Sequence, residues 1–383
     1  MSDSTAFFIP DLPFHFGPTL SPFNPGGLPD TFPFELNFDP ESGMLVQRSR
    51  PGLQGLLDRA YRAGQEIGTP LADDALGKPY ADDFLAFIRS RAGTPGRALE
   101  IGAGVGYLSK RLKDDGWQVD SLEPGIGYQD HWAKYGIDVI NEYFPSPRAR
   151  GPYDLICAYA VLEHIPEPGS LLASVRDHLR PGGTLVLSVP DCSKEIAIGD
   201  PAMLIHEHYN YFDATSLHLM LARCGFTANV RPSGYGRAVY ASANAAPPPA
   251  STVAGVSADT EAARTFPARC TAFTQQARTA LGALAARGTL GIYCPSRALA
   301  VLPVDISCRF FDDSPSLQGR YVPPFAARIE SRAALLDHPT DAVVIMSHTF
   351  VEKLKRELTT VLPRSRVFGI AELVEHGVDQ RVN

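Results

Sequence analysis

The chain has 383 residues, enough for two or three domains, since a single hydrophobic core seldom grows past ~250–300 residues. Its 44% hydrophobic and 20% charged content is ordinary for a soluble globular protein. With 35 basic and 42 acidic residues the net charge is −7, which argues against nucleic acid or an anionic membrane surface as partner.

Residues 1–75 are rich in Pro, Phe and Gly, with little helical pattern before "GLQGLLDRAYRAGQ". The opening stretch has no basic n-region and is broken by prolines, so it reads as neither a signal peptide nor a spanning helix. Its aromatics argue against disorder, and an ordered but irregular cap is expected. From 76 to 245 the pattern changes. A helical stretch, "YADDFLAFIRSRA", is followed by short apolar runs alternating with amphipathic ones: "RALEIG", "GYLSKRLKDDG", "WQVDSLEP", "IDVIN", "YDLICAYA", "LLASVRDHLRPGG", "TLVLSVPD". Such alternation predicts βαβ units around a mostly parallel sheet. "TSLHLMLARCGF", "TANVRP" and "AVYASAN" then predict a helix and a terminal antiparallel hairpin. Residues 246–284 read as a Pro/Ala/Ser-rich linker and a helix. Residues 285–383 carry "TLGIYCPS", "ISCRFFDDSP" and "DAVVIMSH" as strands with helices between, a smaller α/β unit. "DDSPSLQG" reads as a strand end and turn, its two aspartates expected to cap a helix. "GIYCPS" lacks the second glycine of a nucleotide loop, so packing, substrate enclosure or dimerisation is expected of this unit. Six cysteines lie far apart with no C-x-x-C pair, which fits a reducing cytosol and speaks against a zinc ribbon or disulfide framework. A cytoplasmic monomer or homodimer, without membrane attachment, is expected.

The most informative stretch is "EIGAGVGYLS", residues 100–109. Glycines between a strand and a helix permit a tight turn and let a ligand lie against bare main chain. A dinucleotide fingerprint would space them G-x-G-x-x-G; here Gly102, Gly104 and Gly106 are one residue short of that, and Glu100 precedes them. A carboxylate there would repel a pyrophosphate but suits a cationic amino-acid end. Glu123, ending "VDSLEP", is placed to accept both hydroxyls of a ribose.

These residues resemble motif I of the class I S-adenosylmethionine-dependent methyltransferases, and "YDLICAYAVLEHIPEP" and "LRPGGTLVLSVPD" are similar to the family's later motifs. The resemblance implies a Rossmann-like α/β core, S-adenosylmethionine as cofactor and S-adenosylhomocysteine as product. It implies cofactor contacts from Tyr80, Glu100, Gly102, Ala103, Gly104, Gly106, Tyr107, Glu123, Pro124 and Tyr159. Three further segments resemble the sugar C-methyltransferase family: "FPFELNFDPESGMLVQ" (32–47), "IHEHYNYF" (205–212) and the pattern running from "GIYCPSRAL" to "DAVVIMSH" (291–348). That family methylates keto-deoxysugars carried on nucleotides. Two departures stand out. No cysteine precedes Cys157, so the family's N-terminal zinc ligands are absent and no metal is expected. The tyrosine that commonly stands two residues before the signature glutamate is replaced by Ile205.

A carbon acceptor needs a base beside an activated C–H, whereas an oxygen or nitrogen acceptor needs at most a base. The resemblance makes His208 that base, with Glu207 orienting it or bonding a substrate hydroxyl; His164 of "LEHIP", after Glu163, reads as a second acid–base candidate or as a structural residue. In an extended segment His206 and His208 would share a face. Two other readings of "HEHYNYF" stay open: a metal site, and local polar bonding in a loop. Tyr235 and Arg237 read as part of a hairpin turn or as contacts to an anionic group. The leading expectation is C-methylation of a small nucleotide-linked keto-sugar. O- or N-methylation of a natural-product intermediate is the alternative, and a non-catalytic cofactor-binding scaffold the third.

Overall fold

The structure, a computed structural model, describes residues 7–14, 17–24, 27–62, 77–245, 258–295, 300–303, 305–348 and 350–378. In chain order the elements begin with β1 (Phe7–Pro13), β2 (Thr31–Asp39), β3 (Met44–Gln47), α1 (Leu53–Arg62), α2 (Lys78–Arg91), β4 (Arg97–Ile101), α3 (Tyr107–Asp114) and β5 (Gln118–Leu122). There follow α4 (Gln129–Tyr135), β6 (Val139–Ile140), β7 (Tyr153–Tyr159), α5 (Pro168–His178), β8 (Leu179–Pro190), α6 (Ser193–Ile198), β9 (Asn210–Tyr211), α7 (Ala214–Arg223), β10 (Phe226–Pro232) and β11 (Ala238–Ala245). The chain closes with α8 (Ala258–Arg287), β12 (Leu290–Tyr293), β13 (Arg309–Phe311), β14 (Tyr321–Val322), β15 (Phe325–Glu330), α9 (Arg332–Asp337), β16 (Ala342–Ile345), α10 (Val351–Val361), β17 (Arg366–Gly369) and α11 (Ile370–His376). None of the described helices is long and apolar enough to cross a membrane.

Two compact units emerge. The first holds Phe7 and the described residues of 35–193 and 207–264; the second holds those of 8–34, 194–206 and 265–383. In the first, seven strands run in the order β10-β11-β8-β7-β4-β5-β6. Strands β8, β7, β4, β5 and β6 are mutually parallel, and the β10–β11 hairpin closes the β8 edge antiparallel. This is the expected mostly parallel α/β core with its terminal hairpin. Strands covered on both faces read as nearly continuous apolar runs, as "RALEI" and "LICAY" do. Alternate residues serve the two faces: Leu99, Ile101, Ile156, Ala158, Leu185 and Leu187 pack on one, Ala98, Leu155, Cys157 and Val186 on the other.

The N-terminal segment is less irregular than its composition led us to expect. Phe34 and Leu36 alternate inward along β2, and β2 pairs antiparallel with β3, which pairs with β9. Phe32 and Phe38 continue the same face, and Thr31, Pro33, Glu35, Asn37 and Asp39 take the other, so β2 carries a period of two in its sequence. Part of the expected cap, 63–75, and most of the expected linker, 246–257, lie outside the described residues.

The second unit has its own six-stranded sheet, β14-β15-β13-β12-β16-β17, parallel from β15 to β17. Its core joins Leu281 and Leu284 of α8 to Leu290, Ile292, Phe310, Ile329 and Val344. Thr19 and Tyr321 exchange backbone bonds of 2.9 and 2.7 Å within it. The strand end and turn expected at "DDSPSLQG" are present, but its aspartates do not cap a helix. Asp312 accepts from Ser314 N at 2.8 Å in a turn, and Asp313 pairs with Arg332.

Candidate active site

The parallel pairing of β4 with β7, Ile101 opposite Ala158, brings the ends of both strands to one edge of the sheet. Ligands of open α/β sheets bind outside these carboxyl ends. From β4 the chain enters the glycine loop, where Gly102, Gly104 and Gly106 have φ of +74°, +51° and +83°. That left-handed region favours glycine. Space separates the three. A Cβ on Gly102 would stand 2.5 Å from Val161 Cγ2 and one on Gly106 would stand 2.0 Å from Ile137 Cδ1, whereas one on Gly104 would meet nothing within 4 Å. Gly102 and Gly106 therefore serve close packing, and Gly104 is where bare main chain faces open space.

Glu123 holds this loop. Its Oε2 accepts from Gly104 N at 2.8 Å and its Oε1 from Gly125 N at 2.7 Å. Burial raises its pKa and the two amide donors offset part of that rise. Each oxygen keeps a second lone pair, so the carboxylate can still accept from a diol. Trp132 Nε1 donates to Gly104 O at 2.7 Å, an anchor the sequence reading missed because nothing in "QDHWAKY" marks it.

Glu100 behaves differently from the expectation that it would meet a cationic ligand. It is 2% exposed, its carboxyl accepts from Ser109 Oγ, and Ser109 Oγ lies 2.6 Å from Ser121 Oγ. Burial pushes its pKa up to about 8, so near neutrality it is largely uncharged. Its observed partner is the first turn of α3. Tyr107 is also inward, donating to Asp82 Oδ1 at 2.5 Å. Ala103 is buried and Pro124 half-buried. Tyr80 meets Tyr235 edge-on at 5.1 Å, and Tyr159 meets Phe84 at 5.2 Å, its phenol pushed up to about 12 by burial. Asp83 accepts from Tyr240 Oη and Gly234 N, both at 2.9 Å, which ties α2 to the hairpin that carries Tyr235 and Arg237.

Beyond β7 the chain makes a single helical turn, Leu162–His164, preceded by Ala160 at φ +53°. The segment after residue 206 is stitched to that turn. Tyr209 N donates to Glu163 O at 2.7 Å, Asn210 Nδ2 to Ile165 O at 2.7 Å, and Tyr209 O accepts from Gln47 N of β3 at 2.8 Å. These bonds gather Glu163, His164 and His208, whose potential ligand atoms all lie within 4.8 Å of one another. The two imidazole rings meet edge-on, centroids 4.8 Å apart. His164 Nδ1 lies 3.0 Å from Glu207 O; a carbonyl only accepts, so Nδ1 carries the proton and Nε2 keeps its lone pair. His164 Nε2 is 3.9 Å from Glu163 Oε1. Glu163 is 1% exposed, and neither carboxyl oxygen has a hydrogen-bond partner among the described residues. Burial pushes Glu163 up to about 8 and His164 down to about 4.

His206 does not share a face with His208. A turn at residues 206–207 interrupts the extended run that the expectation assumed. His206 Nε2 instead lies 2.9 Å from Phe32 O, its ring among Phe14, Phe32 and Phe34. Glu207 is buried, and what it offers His164 is its main-chain carbonyl. Glu163, which the sequence reading named without giving it a role, takes the place in the cluster expected for Glu207.

Residues 76–230 match the family described as a methyltransferase domain. By this match the stretch is a methyltransferase domain. A ubiquinone biosynthesis O-methyltransferase of Burkholderia orbicola is 34% identical to the chain over 100 residues, covering 24% of it and 43% of the relative. One from Marinobacter nauticus is 30% identical over 115 residues, covering 27% and 48%. The chain thus spans about half the length of the curated relatives it matches. Among solved structures, a Burkholderia thailandensis 1,6-didemethyltoxoflavin N1-methyltransferase with bound S-adenosylhomocysteine aligns with a TM-score of 0.39 and 16% identity, over 53% of this chain and 96% of that one. In the methyltransferase domain, then, the glycine loop after β4 and the Glu163–His164–His208 cluster after β7 stand at one sheet edge.

Proposed function

We propose that the chain binds S-adenosylmethionine on the loop at Gly104 and transfers its methyl group to a small-molecule acceptor activated at the imidazole cluster. The observation that carries this reading is the pairing of bare, open main chain at Gly104 with Glu123, at the sheet edge where His164 and His208 also gather. The amino-acid end of the cofactor lies along the loop, and Glu123 accepts from its ribose. Methyl transfer from a sulfonium is an in-line displacement, so alignment and a reactive acceptor are what the protein must supply.

The resemblance of 205–212 and 291–348 to sugar C-methyltransferases supports a carbon acceptor beside the ketone of a nucleotide-linked keto-deoxysugar. His208 takes the proton from that carbon, the enolate carbon bonds to the methyl, and the sulfonium C–S bond breaks to leave S-adenosylhomocysteine. The O-methyltransferase relatives support a second reading, in which the same imidazoles take the proton of an acceptor hydroxyl. The test is incubation with nucleotide-linked keto-sugars in deuterated water, read by mass spectrometry. Deuterium entering the carbon next to the ketone before methylation, and lost in His208→Ala with cofactor binding intact, is the expected result. Methylation without exchange moves the acceptor atom to oxygen. Cofactor binding without turnover on any acceptor would leave only a scaffold.

A further inference from the structure

We propose that Glu163, His164 and His208 form a binding site for a first-row divalent cation of the zinc or cobalt kind. The three side chains come from two segments, the turn after β7 and the approach to β9, clamped together by the bond from Tyr209 N to Glu163 O at 2.7 Å. Their donor atoms lie within 4.8 Å of one another, and His164 Nε2 to Glu163 Oε1 is 3.9 Å. Bonds of about 2.0–2.2 Å in a tetrahedral site hold donor atoms roughly 3.3–3.6 Å apart, so closing on a cation takes side-chain shifts of about 1 Å. No other group of three such residues comes together among the described residues.

Two independent features point to a cation. The Glu163 carboxyl is 1% exposed and neither oxygen has a hydrogen-bond partner among the described residues. A carboxylate so placed is costly unless it gains a counter-charge or a coordinating partner, and a cation supplies both. His164 is already set as a ligand. Its Nδ1–H donates to Glu207 O at 3.0 Å, which fixes the tautomer and leaves Nε2 for the cation, the arrangement that metal-binding imidazoles almost always show. Two imidazoles and one carboxylate select zinc, cobalt or iron over magnesium, which prefers oxygen ligands and retains water. Three protein ligands leave a fourth position for an oxygen of the acceptor.

The cation goes beyond the proposed methyl transfer and amends one part of it. As a ligand His208 would not take the proton; a cation holding the acceptor oxygen would acidify the adjacent C–H or the O–H, and that proton would pass to solvent water. The experiment uses the full chain, stripped with a chelator and titrated with Co2+ and Zn2+, with S-adenosylmethionine binding measured separately by calorimetry. One cation per chain is expected, with the visible absorption of four-coordinate Co2+, displaced by Zn2+ and not by Mg2+. Glu163→Gln, His164→Asn and His208→Asn should each weaken binding about 100-fold or more, since loss of even an outer-shell partner costs roughly 10–100-fold. Cofactor affinity should stay as in the parent, which marks each variant as folded; any one folded variant suffices. Absence of a Co2+ spectrum, or the same spectrum and affinity in the folded variants, overturns the site. Loss of cofactor binding in the parent would instead overturn the proposed function and leave the cation result standing.

Discussion

The two parallel sheets end their central strands in opposite ways. In the methyltransferase domain, β4 runs into three left-handed glycines, and at Gly104 the backbone faces open space. In the second unit, β12 ends in Tyr293, fully buried, followed by Cys294 at φ +58°. Tyr293 Oη donates to Asp313 at 2.6 Å and accepts from Arg332 Nε at 3.0 Å, while Arg332 also bonds Glu357 at 2.8 Å. Both units put a sheet edge where α/β folds bind ligands, yet one bares its main chain there and the other fills the place with its own charged network. Shared architecture does not fix shared use; the residues at the strand end do.

Substitutions at the strand ends should divide accordingly. Gly106→Ala should have the largest effect, a loss of about 3 kcal/mol read from denaturant midpoints, because a left-handed φ and overpacking against Ile137 each cost roughly 1–3 kcal/mol. Gly104→Ala should cost only about 1 kcal/mol of stability. It should nonetheless weaken S-adenosylmethionine binding at least ~10-fold, a factor worth about 1.4 kcal/mol. Equal cofactor affinity in Gly104→Ala and the parent would break the contrast between the sheets.

Glu100 sharpens the contrast through pH. Its folded pKa is raised to about 8 from an ordinary 4.5, so the unfolded chain gives up this proton first. The stability it contributes is present in full below pH 4.5 and is lost as pH rises through 8, on the order of 1 kcal/mol per pH unit in between. Glu100→Gln, which keeps the hydrogen-bonding shape, should show a flatter melting temperature between pH 5 and 8. An unchanged slope would mean that the carboxyl is ionised in the fold. The smallest effect belongs to the second sheet. Tyr293→Phe removes two side-chain bonds but leaves Asp313 and Arg332 paired with each other, so it should cost about 1 kcal/mol and leave cofactor affinity untouched. A change in affinity would tie the second unit to the cofactor site.

Much of the core was legible because its cues are local. The alternation of apolar runs and amphipathic stretches forecast the parallel order, and glycine spacing located the β4 turn, since backbone sterics act within a few residues. Glu123 could be picked out by its distance along a βαβ unit. Other features left no such trace. Ser109 and Ser121 take charge of Glu100 from neighbouring elements, and Trp132 reaches Gly104 O from 28 residues away. β2 does carry a period of two in Phe32, Phe34, Leu36 and Phe38, but the Pro- and Gly-rich composition around it pointed to irregular chain.

The sequence by itself determined where the chain can turn back on bare main chain, and which short runs can pair as buried strands, because those properties belong to residues and their immediate neighbours. Which acids and imidazoles meet was decided only by the tertiary structure. "HEHYNYF" written as a line groups His206 with His208, but a turn at 206–207 sends His206 to Phe32 O and places His208 beside Glu163 and His164, more than forty positions earlier in the chain. Side-chain periodicity holds only while the backbone stays regular. At an irregular segment the hydrogen bonds to other strands choose the partners.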